Sequence, residues 1–135
     1  MRAFFEVTAE GLIPKDEETR LYIGRRKAGQ VLSADIKMAR NYENHKRFFK
    51  FVDDTFDIQR HFEEKEAYRY WLTMKAGWFD PIVTPNGTTI FKARSIAFDE
   101  MEEEEFRKLF SRVIDVFLHE FELTENEINQ VISYV

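Results

Sequence analysis

The sequence predicts an α+β fold: a small, mainly antiparallel sheet of about four strands, packed with about four to five helices. Three observations carry this expectation. Two short apolar, β-prone runs flank Pro85-Asn86-Gly87, the strongest hairpin signal in the chain. Longer segments repeat apolar residues at three- and four-residue spacing, as one face of a helix does. Asn41 and Thr124 offer caps to two of those segments, and Gly29 and Gly77 close two of them. A length of 135 residues suits a single domain spanning residues 1–135. The 44% hydrophobic content, with 14 Phe, 5 Tyr and 2 Trp, supplies a core and excludes a disordered chain.

In chain order, Ala3 to Thr8 is apolar and β-prone and stops at Glu10-Gly11, which predicts a first strand and then a turn through Pro14. Asp16 to Lys27 reads as a helix, with Leu21 and Ile23 its strong apolar residues and Ala28-Gly29 its end. Val31 to Ile36 alternates and predicts a second strand. Asn41 caps a helix running to about Asp57, and a further helix covers roughly Glu64 to Ala76, with Gly77 as its terminator. Phe79 to Thr84 and Thr88 to Arg94 form the hairpin around Asn86-Gly87. Asp99 opens a long helix to about Phe121, whose apolar band from Met101 to Phe121 suits either a central core helix or a dimer seam. Thr124 with Glu127 is a capping box for a last helix carrying Ile128, Val131, Ile132 and Val135.

Several function classes drop out. The absence of cysteine excludes disulfides, thiolate metal sites and cysteine nucleophiles. No apolar run approaches the roughly 18 residues of a membrane span, so a cytoplasmic protein without membrane contact is expected. His45, His61 and His119 lack zinc-ligand spacing, and neither a phosphate-binding glycine loop nor a dinucleotide fingerprint is present. No cofactor and no catalytic residue is therefore expected, although Asp53, Asp54 and Asp57 share a helix face on which a nuclease could hold Mg²⁺.

The net charge of -5 hides an uneven distribution. Residues 20–50 contain nine basic residues (Arg20, Arg25, Arg26, Lys27, Lys37, Arg40, Lys46, Arg47, Lys50) against Asp35 and Glu43, a local sum of +7. A local field acts over about 8 to 10 Å at physiological salt, so such a stretch attracts phosphates whatever the total charge. On the helix after Asn41, Tyr42, His45, Phe48, Phe49, Val52 and Phe56 share one face, while Lys46, Arg47 and Lys50 lie opposite. The cations crowd the end where the helix dipole favours anions, an arrangement that a bound phosphate would relieve. His45 at the centre of the apolar stripe suits a core histidine as well as a functional one. Tyr70 beside Arg69 offers a surface for a base or a protein, and Lys92 and Arg94 follow the hairpin tip.

The string Ala34-Asp35-Ile36-Lys37, continued by Arg40-Asn41-Tyr42-Glu43-Asn44-His45-Lys46-Arg47-Phe48-Phe49 and by Tyr70 to Gly77, resembles a phage and prophage family of unknown function. Within that motif the chain is also distantly similar to the NinB (Orf) recombination proteins of lambda-like phages, with Arg40, Asn44, His45 and Lys46 the shared positions. The NinB likeness implies a dimer that binds single-stranded DNA and the host single-strand-binding protein. The expected function is thus a phage-encoded accessory of recombination or replication in a bacterial cytoplasm. Its expected contacts are Arg40, Asn44, His45, Lys46, Arg47 and Lys50, together with Arg25, Arg26 and Lys27. The alternative is a protein-binding adaptor that uses the acidic half or the aromatic residues near Tyr70.

Overall fold

The computed structural model describes residues 2–39, 41–96 and 101–135. Its architecture is α+β, with five α-helices, a closing 3-10 turn and four strands among these residues. The strands form two separate antiparallel pairs rather than one sheet. The chain divides into two compact units, Met1–Asp35 and Ile36–Val135.

In the first unit, β1 (Phe5–Thr8) pairs with β2 (Gly11–Pro14), with Val7 opposite Leu12 and Thr8 opposite Gly11. The expected turn through Pro14 is therefore a strand. The chain reverses already at Ala9-Glu10, because Gly11 takes φ +117°, a value that suits glycine alone. Helix α1 (Glu17–Gly24) follows, its Asp16 cap accepting the Thr19 N–H at 2.8 Å. The Thr19 hydroxyl, fully buried, accepts the Phe4 N–H at 3.0 Å and ties the hairpin to the helix. The strand expected over Val31 to Ile36 does not form. Its residues have no regular structure, and Val31 and Ile36 are 95% and 74% exposed. Alternation supplies β-propensity, but a strand also needs a neighbour to take its backbone hydrogen bonds.

The second unit opens on α2 (Tyr42–Ile58), where the Asn41 side chain accepts the Asn44 N–H. Helix α3 (Lys65–Lys75) ends in a Schellman arrangement. Gly77 sits at φ +99°, Trp78 N–H donates to Thr73 C=O and Gly77 N–H to Met74 C=O, both at 2.9 Å. Strands β3 (Phe79–Val83) and β4 (Thr89–Ala93) form the expected hairpin, its turn held by the Asn86 side chain, which accepts from the Thr88 N–H and the Thr84 hydroxyl. Helix α4 spans Glu103–Glu120; Asp99, the expected start, lies outside the described residues. The capping box at Thr124 and Glu127 forms as expected and opens α5 (Glu125–Val131). The Thr124 N–H, bonded to the Glu127 carboxyl, holds that group below the usual carboxylate range. A 3-10 turn over Ile132–Tyr134 follows.

The core of this unit is aromatic. Phe106, Leu109, Phe110, Val113, Ile114 and Phe117 of α4 are all buried, so the wide apolar band belongs to a core helix and is not free to act as a dimer seam. Phe48 of α2 meets Phe106 and Phe110 edge-on at 5.7 and 5.4 Å, the arrangement that aromatic quadrupoles favour. Phe51, outside the stripe expected for α2, is completely buried against Phe110, Phe117 and Tyr134. From α3, Tyr68 donates its hydroxyl to Thr55 at 2.7 Å, and burial pushes its pKa up, keeping it protonated as the donor. No helix among the described residues is long and apolar enough to cross a membrane.

Candidate nucleic-acid interface

The basic residues of α2 separate into two environments. Lys46 and Lys50, one turn apart, stand exposed on the outer face, with the Lys46 ammonium 5.8 Å from the Tyr42 ring centre. Arg47 instead reaches across to the end of the chain. Its guanidinium lies 5.1 Å from the Phe110 ring and 5.4 Å from the Tyr134 ring, and Nη2 donates to the Tyr134 carbonyl at 2.7 Å and the Ser133 carbonyl at 3.4 Å. Asp54, nearly two turns further along α2, accepts the Tyr134 hydroxyl at 2.7 Å. Burial, then the Asp54 hydrogen bond and charge, raise the Tyr134 pKa and keep the phenol protonated. One cation and one anion of the same helix thus clasp the closing 3-10 turn.

Arg47→Ala removes a charge-assisted hydrogen bond and two cation–π contacts, and is expected to destabilise the second unit by about 1–3 kcal/mol. Arg47→Lys keeps the charge without the planar fork and recovers only part of that loss. Urea denaturation followed by near-ultraviolet circular dichroism checks both; equal stability of Arg47→Ala and the native chain would contradict the clasp.

Asn44 does not point freely into solvent either. Its Nδ2 donates to Glu103 Oε1 at 2.6 Å, linking the first turn of α2 to the first turn of α4. The same Glu103 oxygen lies 3.6 Å from Arg107 Nε. Asn44 and Arg47 from α2 and Arg107 and Ser111 from α4 line one shallow groove of about 300 Å³, floored by Phe106 and Phe110. Arg107 is the residue that reading the sequence missed. Its spacing with Glu103 and Ser111 shows that the three share a face of α4, but nothing in that spacing says the face meets Asn44.

His45 is 2% exposed, with its ring 5.1 Å from Phe49 and 5.9 Å from Phe106, so it occupies the core rather than the surface. Arg25, Arg26 and Lys27 belong to the first unit, just after α1. Arg25 and Lys27 are exposed there, while the Arg26 guanidinium stacks 4.5 Å above the Tyr22 ring and Nε donates to the Tyr22 carbonyl. Arg40 lies outside the described residues. The three aspartates of α2 are dispersed in their contacts: Asp53 pairs with Lys65 at 3.1 Å and Asp54 holds Tyr134. Among the described residues no group of three potential metal ligands comes together.

The comparisons with known proteins bear on the family alone. The DUF1367 family, described as a protein of unknown function, matches residues 2–63 and 58–134. No curated protein matches. No solved structure matches. With nearly its whole length matched, the chain belongs to the DUF1367 family.

Proposed function

We propose that this protein binds single-stranded DNA, as a phage-encoded, non-enzymatic accessory of recombination or replication, through the outer face of α2 and the groove between α2 and α4. The observation that carries the reading is the groove that Arg47 of α2 and Arg107 of α4 line together with Asp115, with Lys46 and Lys50 exposed elsewhere on α2. Lys46, Lys50 and Arg107 hold phosphates. Asn44, fixed by Glu103, offers a polar contact, and Arg47 supplies charge while it clasps the chain end. The resemblance of the Asn44-His45-Lys46 segment to NinB proteins points the same way, and with it the host single-strand-binding protein as a second partner. Bulk net charge does not oppose this, because screening confines the competition to groups within about 8 to 10 Å.

Fluorescence anisotropy with a labelled single-stranded oligonucleotide at about 50 and 200 mM salt tests the reading. Binding is expected at the lower salt and should weaken steeply at the higher, as counterion release requires. No binding at the lower salt contradicts it.

A second reading, a protein-binding adaptor, is favoured by the exposed apolar side chains of the β3–β4 hairpin, Ile82, Val83, Ile90 and Phe91. It predicts a specific protein partner and no DNA binding at either salt concentration.

A further inference from the structure

The seam between α2 and α3 alternates rings and cations. Tyr42, Phe49 and Phe56 recur every seven residues, about two turns, along one stripe of α2. The Lys46 ammonium lies 5.8 Å from the Tyr42 ring centre. From α3, the Arg69 guanidinium lies 5.4 Å from the Phe49 ring centre and the Lys65 ammonium 5.8 Å from that of Phe56. Asp53 neutralises Lys65 at 3.1 Å, so Lys46 and Arg69 are the cations that this seam leaves to a ligand. Arg69 is the unusual member. Its side chain is only 14% exposed, and Glu66, the acid beside it, stands at 3.9 Å. The same Glu66 oxygen already accepts the Tyr70 hydroxyl at 2.9 Å. Among the described residues no hydrogen bond reaches the Arg69 guanidinium, although its nitrogens are not sealed from water. A guanidinium carries five N–H donors in one plane. Drawing it largely out of water without acceptors is costly, and a phosphate that bonds it offsets the cost.

We propose that Arg69 and Tyr70 of α3 form a platform for one nucleotide of a single strand, the base stacking on Tyr70 and a phosphate bonding Arg69. The proposal rests on the reading of this chain as a single-stranded DNA binder and extends its surface from α2 onto α3. Tyr70 is 38% exposed, and the Arg69 guanidinium lies 4.5 Å from its ring centre, so ring and cation meet a ligand together. The Glu66 hydrogen bond fixes the phenol in advance, which lowers the entropy lost when a base settles on it. An unpaired base offers its π-face to such a ring, whereas a base inside a duplex is already stacked on both sides. Lys46, on the adjoining stripe of α2, is placed for a further phosphate of the same strand.

Stacking and charge leave different marks on the salt dependence, which allows each residue to be tested by its own signature. With a labelled single-stranded oligonucleotide and anisotropy at salt concentrations from about 50 to 200 mM, Tyr70→Ala is expected to weaken binding on the order of tenfold throughout. The slope of log K against log salt stays unchanged, because stacking releases no counterions. Tyr70→Phe keeps the ring and loses the Glu66 bond, and is expected to stay within about threefold of the native chain. Arg69→Gln is expected to lower the slope by about 0.7, the share of one phosphate contact on a single strand. Circular dichroism confirms that each variant is folded. If the native chain binds and Tyr70→Ala binds equally well, the platform is overturned while DNA binding through α2 and α4 stands. Equal losses in Tyr70→Ala and Tyr70→Phe, or an unchanged slope in Arg69→Gln, overturn it as well. A native chain that binds no single strand at about 50 mM salt overturns the platform together with the reading on which it rests. If Tyr70 instead meets a protein, Tyr70→Ala leaves the DNA affinity untouched, which counts against the platform.

Discussion

Phe51→Ala is expected to cost about 3–5 kcal/mol of stability, the largest effect of any single substitution considered for this chain. The ring is completely buried at the meeting point of three elements. It touches Phe110 and Phe117 of α4 at 5.7 and 5.9 Å and Tyr134 of the closing turn at 5.2 Å, all edge-on or nearly so. Truncation removes the transfer free energy of the ring and leaves a void walled by other rings, which are stiff and held by their own helices. Such a site collapses poorly, which places the cost toward the upper end of the range. Against a typical domain stability of about 5–15 kcal/mol, the loss is roughly a fifth of the total or more. Chemical denaturation reads it directly, and a loss below about 1.5 kcal/mol would mean that the aromatic cluster does not hold α2, α4 and the chain end together.

The second large effect concerns binding. The triple variant Lys46→Ala, Lys50→Ala, Arg107→Ala removes three cations that contribute almost nothing to folding. Lys46 and Lys50 are exposed, and the Arg107–Glu103 pair at 3.6 Å involves a side chain that is mostly in water. Stability is therefore expected to stay within about 1 kcal/mol of the native chain. If each cation neutralises one phosphate, the slope of log K against log salt for single-stranded DNA falls by about 2, since each contact contributes about 0.7. At about 50 mM salt the affinity should drop on the order of a hundredfold. A folded triple variant that binds like the native chain would remove α2 and the groove from the interface.

Much of the fold was legible because several of its elements carry their own boundary chemistry. The Asn41 cap, the Gly77 terminator, the Asn86-Gly87 turn and the Thr124–Glu127 box are local devices, visible within a few residues, and each forms where the sequence places it. The errors lie where partners decide. Val31 to Ile36 has the pattern of a strand and no neighbour to pair with. Gly11 to Pro14 looks like a turn, yet finds β1 beside it. Phe51 was missed because the α2 face is widened by Tyr134, whose arrival from the far end of the chain no periodicity reveals.

The candidate site shows the same division. That α2 carries cations opposite its apolar stripe was readable. That Arg47 is drawn into a clasp while Lys46 and Lys50 stay exposed was not, because the carbonyls of Ser133 and Tyr134 are more than eighty residues away. Arg107 joined the site only through the Asn44–Glu103 hydrogen bond between two helix starts.

A matched pair of charge reversals on α4 separates a located surface from general electrostatics. Arg107 lines the groove, and Arg112 is exposed on the same helix outside it. Arg107→Glu and Arg112→Glu change the net charge by the same amount, so any difference between them reports position alone. Measured with one labelled single-stranded oligonucleotide at about 50 mM salt, Arg107→Glu is expected to weaken binding at least about tenfold while Arg112→Glu stays within about threefold of the native chain. Equal losses in the two variants would contradict a binding surface built between α2 and α4.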